Sequence, residues 1–552
     1  MNIDKLYRRH WLKAIAPIAM GCSLPRRSMA FKSTALSSSE KGVVVGEATG
    51  EKAGMQVLLD GGNAIDAIVS AALTAAVAAP HMTGIGGYGL SAIVASASRR
   101  EILAIDGNTT APSAMNATIF QPDATGKLPD GINAADGLSS IGWLSAGVPG
   151  ILSGLQLAID EFGTRGFAQL AQPAIMLARE GFPWPKNLVA TIASRQIFQT
   201  DTGSRQLFYP NGNPHTAGEL FKNPALAEML TSLAKKNSVA DFYRGDIAIQ
   251  IADGFAKNGG LVTASDLAAY EARLIPALAI NWGSSTIHTA PLTAGGLSVL
   301  QMLQTLKAMK WDSMPDNLLR KHARLEAMRL AWRDRLTLLG DPALSNVPVA
   351  RLLADEYATE SAAKILASVK DGNSLTHQVK TRTQGGTIHL CAADRFGNFA
   401  ALTLTHGNAF GACVTVDGLG LTLGHGMSRF DFDPHHPNAP GPNKRPLHNM
   451  VPTIVTRDEK PVLAVGGTGG RKIPNGLFEV LTQFVVHNRP VAKAIAAPRV
   501  HTDGSLNVEL EKSWPTADVD SFRKLGYQVK TAGNATMSAI ALEGKQLIKA
   551  KR

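Results

Sequence analysis

The sequence has little cysteine, few aromatic residues and a modest amount of charge. Its 552 residues include 3 cysteines, 6% aromatic residues and 18% charged residues, beside 45% hydrophobic residues. Cys22 lies near the amino terminus, so the other two cysteines allow at most one disulfide bond, and no cysteine pair has the spacing of a zinc or redox motif. Cysteine chemistry is therefore not the function, whereas the hydrophobic content is enough for a large buried core.

A long hydrophobic run and a basic–aromatic cluster are also absent. The most apolar stretch after the amino terminus, residues 64–79, is shorter than the roughly 20 residues that span a bilayer, and it contains Asp66. Part of the formal net charge of +11 belongs to the first thirty residues, and no basic run is interleaved with aromatic residues. We therefore predict a buried helix at residues 64–79 and no nucleic-acid partner.

The first thirty residues have the features of an export signal. Arg8 and Arg9 precede a leucine and a lysine in an order that resembles a twin-arginine export motif, and a short apolar stretch and a small-residue cleavage site follow. The alternative is a basic amphipathic helix of the mature protein. We expect residues 1–30 to be the export signal and the protein to be periplasmic or secreted. Because Cys22 lies in a partial lipidation motif, a membrane is a partner only if Cys22 is lipidated.

The predicted secondary structure changes at Thr387. Before it, helical periodicity dominates from residue 143 to about residue 370 and includes a predicted helix at residues 167–180. After it, residues 387–393 and 399–405 alternate like two strands joined by a turn. This change marks either a boundary between two domains or a point within one layered α/β domain whose sheets take strands from both halves.

Two glycine-rich segments invite comparison with nucleotide-binding loops. Residues 84–89 match GxGxxG, but a predicted helix precedes them and a strand follows, which reverses the order of a dinucleotide site. We interpret these glycines as structural. Residues 466–472 lack the spacing of a phosphate-binding loop but join a predicted strand to a predicted helix. Their backbone N–H groups form either an oxyanion hole or a simple tight turn.

Four histidines, His425, His435, His436 and His448, lie in a Pro/Gly-rich stretch. A metal site would require paired spacing on a rigid element together with carboxylates, so we predict no metal and no cofactor. Neither the HExxH nor the GxSxG hydrolase motif occurs. A periplasmic metal hydrolase that uses these histidines is kept as an alternative.

Thr387 follows Gly385 and Gly386 at the start of the first predicted strand of the second half. If the bond before it were cut, one residue would carry both a hydroxyl and a free α-amine. An α-amine has a pKa near ~8, so it could accept the hydroxyl proton without a separate histidine. Composition alone does not show that the cut occurs.

Five stretches, taken in order, resemble the γ-glutamyltransferase (γ-glutamyltranspeptidase) family over nearly the whole chain after the signal. They are residues 59–67 (LDGGNAIDA), 84–87 (GIGG), 147–150 (GVPG), 174–183 (AIMLAREGFP) and 441–447 (GPNKRPL). The resemblance implies an α+β fold, the four-layer αββα sandwich of the N-terminal-nucleophile hydrolases. It also implies a precursor that cuts itself between Gly386 and Thr387 into a large subunit, 31–386, and a small subunit, 387–552, which remain associated as a heterodimer in one αββα body.

The same resemblance assigns catalytic roles. It makes Thr387 the nucleophile, Thr405 the threonine that supports it, and Gly469 and Gly470 the donors of the oxyanion hole. The implied reaction cleaves a γ-glutamyl-type amide, such as glutathione or a related small peptide, through an acyl-Thr387 intermediate that water or an amine then releases.

The positions that would bind the glutamyl group depart from the family. Asn108 stands where the family has an arginine for the α-carboxylate, and Arg429 stands where it has an acidic residue for the α-amine. At ~4 Å and an effective dielectric constant of ~20, a positive charge there would repel a substrate ammonium by about 4 kcal/mol. The family's paired serines and glutamyl-binding asparagine are also replaced. The predicted substrate-binding residues are Asn108, Asn408 (beside Gly407), Arg429, His448 and Asn449.

These departures leave three functions open. The first is a self-processing γ-glutamyl amidohydrolase or acyltransferase. The second is a related acylase for a non-glutamyl, anionic acyl group such as glutaryl, which Arg429 favours. The third, of another class, is an exported binding protein that has lost catalysis, against which the intact Thr387, Thr405, Gly469 and Gly470 argue.

Overall fold

The structure is a computed structural model, and it describes residues 41–121, 135–376 and 385–552. The predicted export signal at residues 1–30 and the lipidation position Cys22 lie outside these ranges. Within them, no helix combines the length and the apolar character needed to cross a bilayer.

Strands occur on both sides of Thr387. In chain order they are β1 (Gly42–Val45), β2 (Gly89–Ser96), β3 (Glu101–Asn108), β4 (Phe182–Pro183), β5 (Leu220–Phe221), β6 (Arg273–Pro276), β7 (Leu278–Trp282), β8 (Ser285–Thr289), β9 (Ile388–Asp394), β10 (Phe399–Thr405), β11 (Thr415–Val416), β12 (Leu421–Thr422), β13 (Thr453–Arg457), β14 (Lys460–Thr468), β15 (Val500–His501), β16 (Asn507–Leu510), β17 (Gln528–Thr531), β18 (Thr536–Glu543) and β19 (Gln546–Lys551).

Two six-stranded antiparallel sheets form the centre of the molecule. The first has the order β1-β9-β10-β2-β3-β6, and the second has the order β19-β18-β14-β13-β8-β7. Each sheet therefore combines strands that precede Thr387 with strands that follow it. The change from predicted helices to predicted strands at Thr387 therefore does not mark a boundary between separate sheets.

The two sheets pack face to face because their side chains alternate. In β9 and β10 every second residue faces the other sheet, and the residues between them face helices. The layer between the sheets contains Cys391, Ala393, Phe399 and Ala401 from the first sheet and Ile454, Ala464 and Ile540 from the second. Because both faces of β9 and β10 are covered, every residue of the two strands is buried and most are apolar or small.

Helices cover the outer face of each sheet. In chain order the α-helices are Ala48–Leu59, Ala64–Ala78, Ala135–Ser140, Ile151–Phe162, Phe167–Leu170, Gln172–Glu180, Lys186–Ala193, Ile197–Thr200, Thr202–Phe208, Pro224–Lys235, Ala240–Arg244, Asp246–Lys257, Ala264–Ala269, Gly296–Ala308, Leu318–Leu338, Val349–Leu352, Asp355–Lys370, Lys472–Leu481, Val491–Ala496 and Thr516–Lys524. A π-helical turn, Thr482–Val486, extends the helix Lys472–Leu481. Together with the two sheets, these layers confirm the predicted α+β, four-layer αββα architecture.

The helix Ala64–Ala78 is almost completely buried against the first sheet, as its sequence predicts. Its small residues allow close approach, and its amino terminus is closed by a capping box between Asn63 and Asp66. The buried Asp66 carboxylate also accepts the backbone N–H groups of Thr164 and Arg165. The one acidic side chain in this apolar run therefore has hydrogen-bond partners and joins two segments of the helical layer.

Two local predictions need correction. The helix predicted at residues 167–180 is two helices that meet at Ala171, because Pro173 starts a new helix at its first turn. The mainly helical stretch before Lys370 also contains β6, β7 and β8, which supply three strands to the two sheets. Short strands of this kind lack the long alternation that would distinguish them in sequence.

The layer between the sheets is expected to hold them together. Replacing the fully buried Ile540 by alanine leaves a cavity between the sheets and should lower the free energy of unfolding by about 2–5 kcal/mol. The matched control is Ile249→Ala, at a side chain that is 53% exposed, which should change stability by less than about 0.5 kcal/mol. Urea-denaturation midpoints measure both, and equal effects would contradict this account of the packing.

Candidate active site

Thr387 and Thr405 lie side by side at one end of the first sheet. Ile388 at the start of β9 pairs with Leu404 of β10, which places the two threonines next to each other beyond that pair. Their hydroxyl oxygens are 3.2 Å apart. Both side chains are buried. Because they fall in the same alternation as Cys391 and Ala401, they point into the layer between the sheets.

The carbonyl oxygen of Gly386 lies between these hydroxyls. It accepts a hydrogen bond from Thr387 Oγ1 at 2.6 Å and another from Thr405 Oγ1 at 2.5 Å. The backbone N–H of Gly407 donates to Thr405 Oγ1 at 2.8 Å. The Thr405 hydroxyl thus accepts from Gly407 and donates its proton to Gly386, which is the orientation that stabilises negative charge on that oxygen.

The chain approaches this point in a conformation that suits glycine. Gly386 has a φ of +86°, and a Cβ there would lie 3.0 Å from the Gly407 oxygen. The neighbouring Gly385 N–H donates to the Asn408 side-chain oxygen at 3.1 Å. Asn408, which was predicted to bind substrate, therefore holds the segment before Thr387 in the uncut chain.

The glycine loop after β14 runs toward Thr387. Ala464 of β14 packs in the layer with Cys391 and Ala393, and Gly466 lies directly against the His389 ring. At about 3.3 Å per residue, continuing in this direction brings the end of β14 to the level of Thr387.

The loop itself has the geometry of a site for a negatively charged oxygen. Gly469 and Gly470 have φ values of +137° and +61°, which disfavour other residues. Their N–H groups donate to no acceptor in the described part of the chain. Consecutive free N–H groups in such a turn are suited to hold an oxyanion.

His389 is not placed to act as a base. Its ring lies between the sheets, where Nδ1 pairs with Thr403 Oγ1 at 2.8 Å and Nε2 with Cys391 Sγ at 3.2 Å. Burial lowers the pKa of His389 to about 3, so the ring is neutral at ordinary pH. Its role in the structure is packing between the sheets against Gly466.

Arg429 is buried close to the two threonines. Its guanidinium carbon lies 5.5 Å from the centre of the Tyr88 ring, and the nearby Tyr88 hydroxyl interacts favourably with the charge. A Cβ on Gly407 would lie 2.9 Å from Arg429 Nη2. The guanidinium therefore lies over the residue whose N–H contacts Thr405.

His425 explains why residue 407 is a glycine. Its Nε2 accepts the N–H of Asn408 at 2.5 Å, and its Nδ1 pairs with Ser428 Oγ at 2.6 Å. A Cβ on Gly407 would collide with this ring. Burial, and then the charge of Arg429, hold the pKa of His425 well below its usual value, so His425 is a neutral hydrogen-bond partner.

The remaining predicted substrate-binding residues differ in their placement. The Asn108 side chain is fully buried and donates to Thr293 Oγ1 and to the Pro446 carbonyl, both at 2.7 Å, so it is committed to internal packing. His448 is buried near Arg429 and Arg335, and Arg335 Nη2 donates to its carbonyl oxygen at 2.6 Å. Asn449 is partly exposed. The site therefore gathers His448 and Arg429 but not the side chain of Asn108.

Two residues of this region were missed by sequence reasoning. Tyr88 was read only as a position within a glycine motif. Arg335 was indistinguishable from the other arginines of the helix Leu318–Leu338, whose side chains point in several directions. Tyr88 lies close to Arg429 and Arg335, and Arg335 contacts His448, and only the folded chain brings these residues together.

The four loop histidines do not converge. His435 is exposed, and His436 Nε2 pairs with the Leu336 carbonyl, whereas His425 and His448 are buried in the site. In residues 41–121, 135–376 and 385–552, no cluster of His, Cys, Asp and Glu is arranged to hold a metal ion. Cys391 and Cys413 are buried free thiols.

Comparison with known proteins agrees with this arrangement. The family model described as gamma-glutamyltranspeptidase matches residues 50–551. The chain belongs to the γ-glutamyltranspeptidase family. It is accordingly an enzyme of that type, a self-processing amidohydrolase with the N-terminal-nucleophile fold.

Relatives within the γ-glutamyltranspeptidase family carry two kinds of name. The chain is 31% identical over 500 residues to a glutathione hydrolase proenzyme of Bacillus subtilis (strain 168), covering 87% of this chain and 83% of that protein. It is 32% identical over 516 residues to an acylase ACY 1 proenzyme of Pseudomonas sp. (strain SE83), covering 92% and 90%. The crystal structure of a cephalosporin acylase from Bacillus halodurans superimposes with a TM-score of 0.81 at 26% identity, covering 93% and 94%.

The close packing of Gly407 gives a test of the site geometry. Gly407→Ala introduces a Cβ at a φ of +102° and forces it against His425, so its unfolding free energy should fall by more than the roughly 1–2 kcal/mol that left-handed strain alone costs. Gly397→Ala is the matched control, since Gly397 has a φ of +87° and a Cβ there would make only an ordinary van der Waals contact, 3.8 Å from the Ala97 side chain. Comparable losses in urea denaturation would show that the His425 contact is unimportant.

Proposed function

We propose that the chain cuts itself between Gly386 and Thr387 and that the new amino-terminal Thr387 cleaves small amides through an acyl-enzyme. The observation that carries this proposal is the Gly386 carbonyl, whose oxygen receives hydrogen bonds from both Thr387 and Thr405. A main-chain carbonyl held by two buried hydroxyls next to a potential nucleophile is arranged for attack on its own peptide bond.

In the first step, Thr387 Oγ1 adds to the Gly386 carbonyl carbon. The negative charge that develops on the carbonyl oxygen is stabilised by the Thr405 hydroxyl. The C–N bond then breaks, the nitrogen takes up the hydroxyl proton, and an ester joins Gly386 to Thr387. Water hydrolyses the ester, which leaves a carboxylate on Gly386 and a free α-amine and hydroxyl on Thr387.

In the second reaction, the freed residue turns over substrate. The α-amine takes the Thr387 hydroxyl proton as Oγ1 attacks the substrate carbonyl, and it returns the proton to the leaving amine. The N–H groups of Gly469 and Gly470 hold the oxyanion, while Thr405 orients the nucleophile. Water or a second amine then releases the acyl group. Cutting also removes Gly385 from Asn408, which frees that side chain to contact substrate.

The substrate class proposed first is a γ-glutamyl-type amide, in line with the relatives named glutathione hydrolases. The second candidate is an amide whose acyl group lacks an ammonium, in line with the relatives named acylases. The buried Arg429 supports the second candidate, because it would repel an ammonium in this pocket. Asn108 also stands where the family has an arginine for the α-carboxylate, and its side chain is already engaged in internal hydrogen bonds.

The two pieces would remain together after the cut. Both central sheets contain strands from before and after Thr387, so separating the pieces would break hydrogen-bonded strand pairs such as β10 with β2 and β13 with β8. We therefore propose a heterodimer made from one precursor. Export to the periplasm or the cell exterior, directed by residues 1–30, remains part of this proposal.

Self-cleavage is tested by denaturing electrophoresis and mass spectrometry. Wild type should give two pieces, one ending at Gly386 and one beginning at Thr387. Thr387→Ala removes the attacking hydroxyl and should remain a single chain, whereas Thr387→Ser keeps a hydroxyl and should still be cut. Thr405→Ala should slow the cut by about 10²–10³-fold, the usual effect of losing one oxyanion donor. A wild-type chain that stays whole, or a Thr387→Ala chain that is cut, would reject the proposal.

The α-amine mechanism predicts an acid limb in the pH profile. The amine is a base only when unprotonated, so kcat/KM should fall about tenfold per pH unit below its pKa, which is ordinarily near ~8. His389 and His448 cannot produce this limb, because burial lowers the pKa of each to about 3. The measurement is kcat/KM between pH 5 and pH 9. A profile that stays level down to pH 5 would argue against the amine as the base.

A further inference from the structure

Two buried guanidinium groups in the described part of the chain form no salt bridge with a carboxylate. Arg335 is 2% exposed and Arg429 is 8% exposed. Burial lowers the pKa of Arg335 to about 10 and also lowers that of Arg429. A buried charge without a counter-ion is costly, and proteins normally pair such charges.

Other buried arginines of this protein follow the usual rule. Arg445 pairs with Asp106 at 3.2 Å, Arg329 with Glu326 at 2.6 Å and Arg499 with Glu511 at 3.3 Å. Arg335 and Arg429 are therefore exceptional within the same fold. One of the two, Arg429, lies over Gly407, whose N–H donates to Thr405 beside Thr387, which indicates that the missing anion is a ligand.

Hydrogen bonding near these two arginines is also incomplete. Arg335 Nη1, Arg429 Nε and His448 Nδ1 are buried and have no hydrogen-bond partner. The three side chains are neighbours, because Arg335 donates to the His448 carbonyl and both guanidinium groups help to lower the pKa of His448. The unsatisfied guanidinium N–H groups match the oxygens of a carboxylate, which can accept from two guanidinium groups at once.

The contacts of Arg429 connect this pair of arginines to Thr387, the proposed nucleophile. Arg429 Nη2 lies over Gly407, and the Gly407 N–H donates to Thr405, which contacts Thr387. We propose that Arg335 and Arg429 form a clamp for a carboxylate on the acyl group, and that Tyr88 aims Arg429 into it. This inference rests on the proposed role of Thr387, and it makes monoamides of dicarboxylic acids without an α-amine the substrate class.

Tyr88 acts through Arg429 and is a positioning residue. Its ring is buried, lies 5.5 Å from the guanidinium carbon, and carries its hydroxyl close enough to interact with the charge. Tyr88 and Gly407 thus constrain Arg429 from two sides. The ring supplies an electron-rich face for a cation that has no carboxylate.

The test compares three p-nitroanilides whose acyl chains have the same length: glutaryl, γ-glutamyl and pentanoyl. Wild type should prefer glutaryl over both. Arg429→Gln should lower the ratio of kcat/KM for glutaryl to that for pentanoyl by about 10–100-fold, the usual effect of removing a hydrogen bond to a charged group. Arg335→Gln should lower the same ratio; if it fails to fold because the His448 contact is lost, Arg429→Gln decides.

The matched control lies on the same helix. Arg333 lies two residues from Arg335 and is already paired with Asp334. Arg333→Gln should therefore leave the ratio unchanged.

Tyr88→Phe keeps the ring and should raise KM for glutaryl several-fold more than KM for pentanoyl. A merely structural loss at Tyr88 would change both substrates alike and would overturn its positioning role.

Two results would overturn the clamp itself. One is a wild-type preference for γ-glutamyl over glutaryl, and the other is an unchanged glutaryl-to-pentanoyl ratio in Arg429→Gln. Mass spectrometry of the same samples separates these results from failure of the catalytic proposal. A chain cut before Thr387 that carries an acyl group from any of the anilides retains the catalytic mechanism without the clamp, whereas an uncut, unmodified chain rejects both.

Discussion

The hydrogen bonds that converge on the Gly386 carbonyl are the interaction on which the rest of the site depends. They require Thr387 and Thr405 to be neighbours, and the β9–β10 pairing provides this. They require the Thr405 hydroxyl to direct its proton toward the carbonyl, and the Gly407 N–H ensures it. The second sheet then brings the glycine loop to the same end of the layer. Strand pairing and sheet packing, which are rigid, thus set the positions of the proposed nucleophile, its supporting hydroxyl and the proposed oxyanion donors.

The pocket proposed for the acyl group depends on both charge and volume. Arg429 brings a buried positive charge, Tyr88 supplies a ring beside it, and Gly407 leaves the space that His425 and the guanidinium occupy. A larger residue at position 407 would collide with His425 and Arg429, so the placement of both side chains depends on the glycine. The proposed nucleophile and its supporting hydroxyl lie at the ends of paired strands, whereas Arg429 lies in the separate turn Gly426–Arg429. Chemistry and specificity are therefore separable in this fold.

Sequence reasoning performed well where the signal was local and long. The buried helix Ala64–Ala78 and the strands β9 and β10 were predicted because apolar periodicity continues over many residues. It failed at the break near Ala171 and at the short strands β6 to β8, where few residues carry the pattern. Among site residues, the threonines and glycines were found through motifs. Tyr88 and Arg335 were missed because nothing near them in sequence marks their environment.

The sequence by itself identified the family, and it predicted Thr387 as the nucleophile and a departure from the family at the glutamyl-binding positions, since each depends on which residue occupies a motif position. Only the tertiary structure decided what those changes mean. It showed that Asn108 is engaged in packing, that His389 is neutral between the sheets, and that Arg335 and Arg429 are buried without a carboxylate. The physical reason is that burial and charge pairing depend on contacts between residues far apart in the chain, which no local pattern encodes.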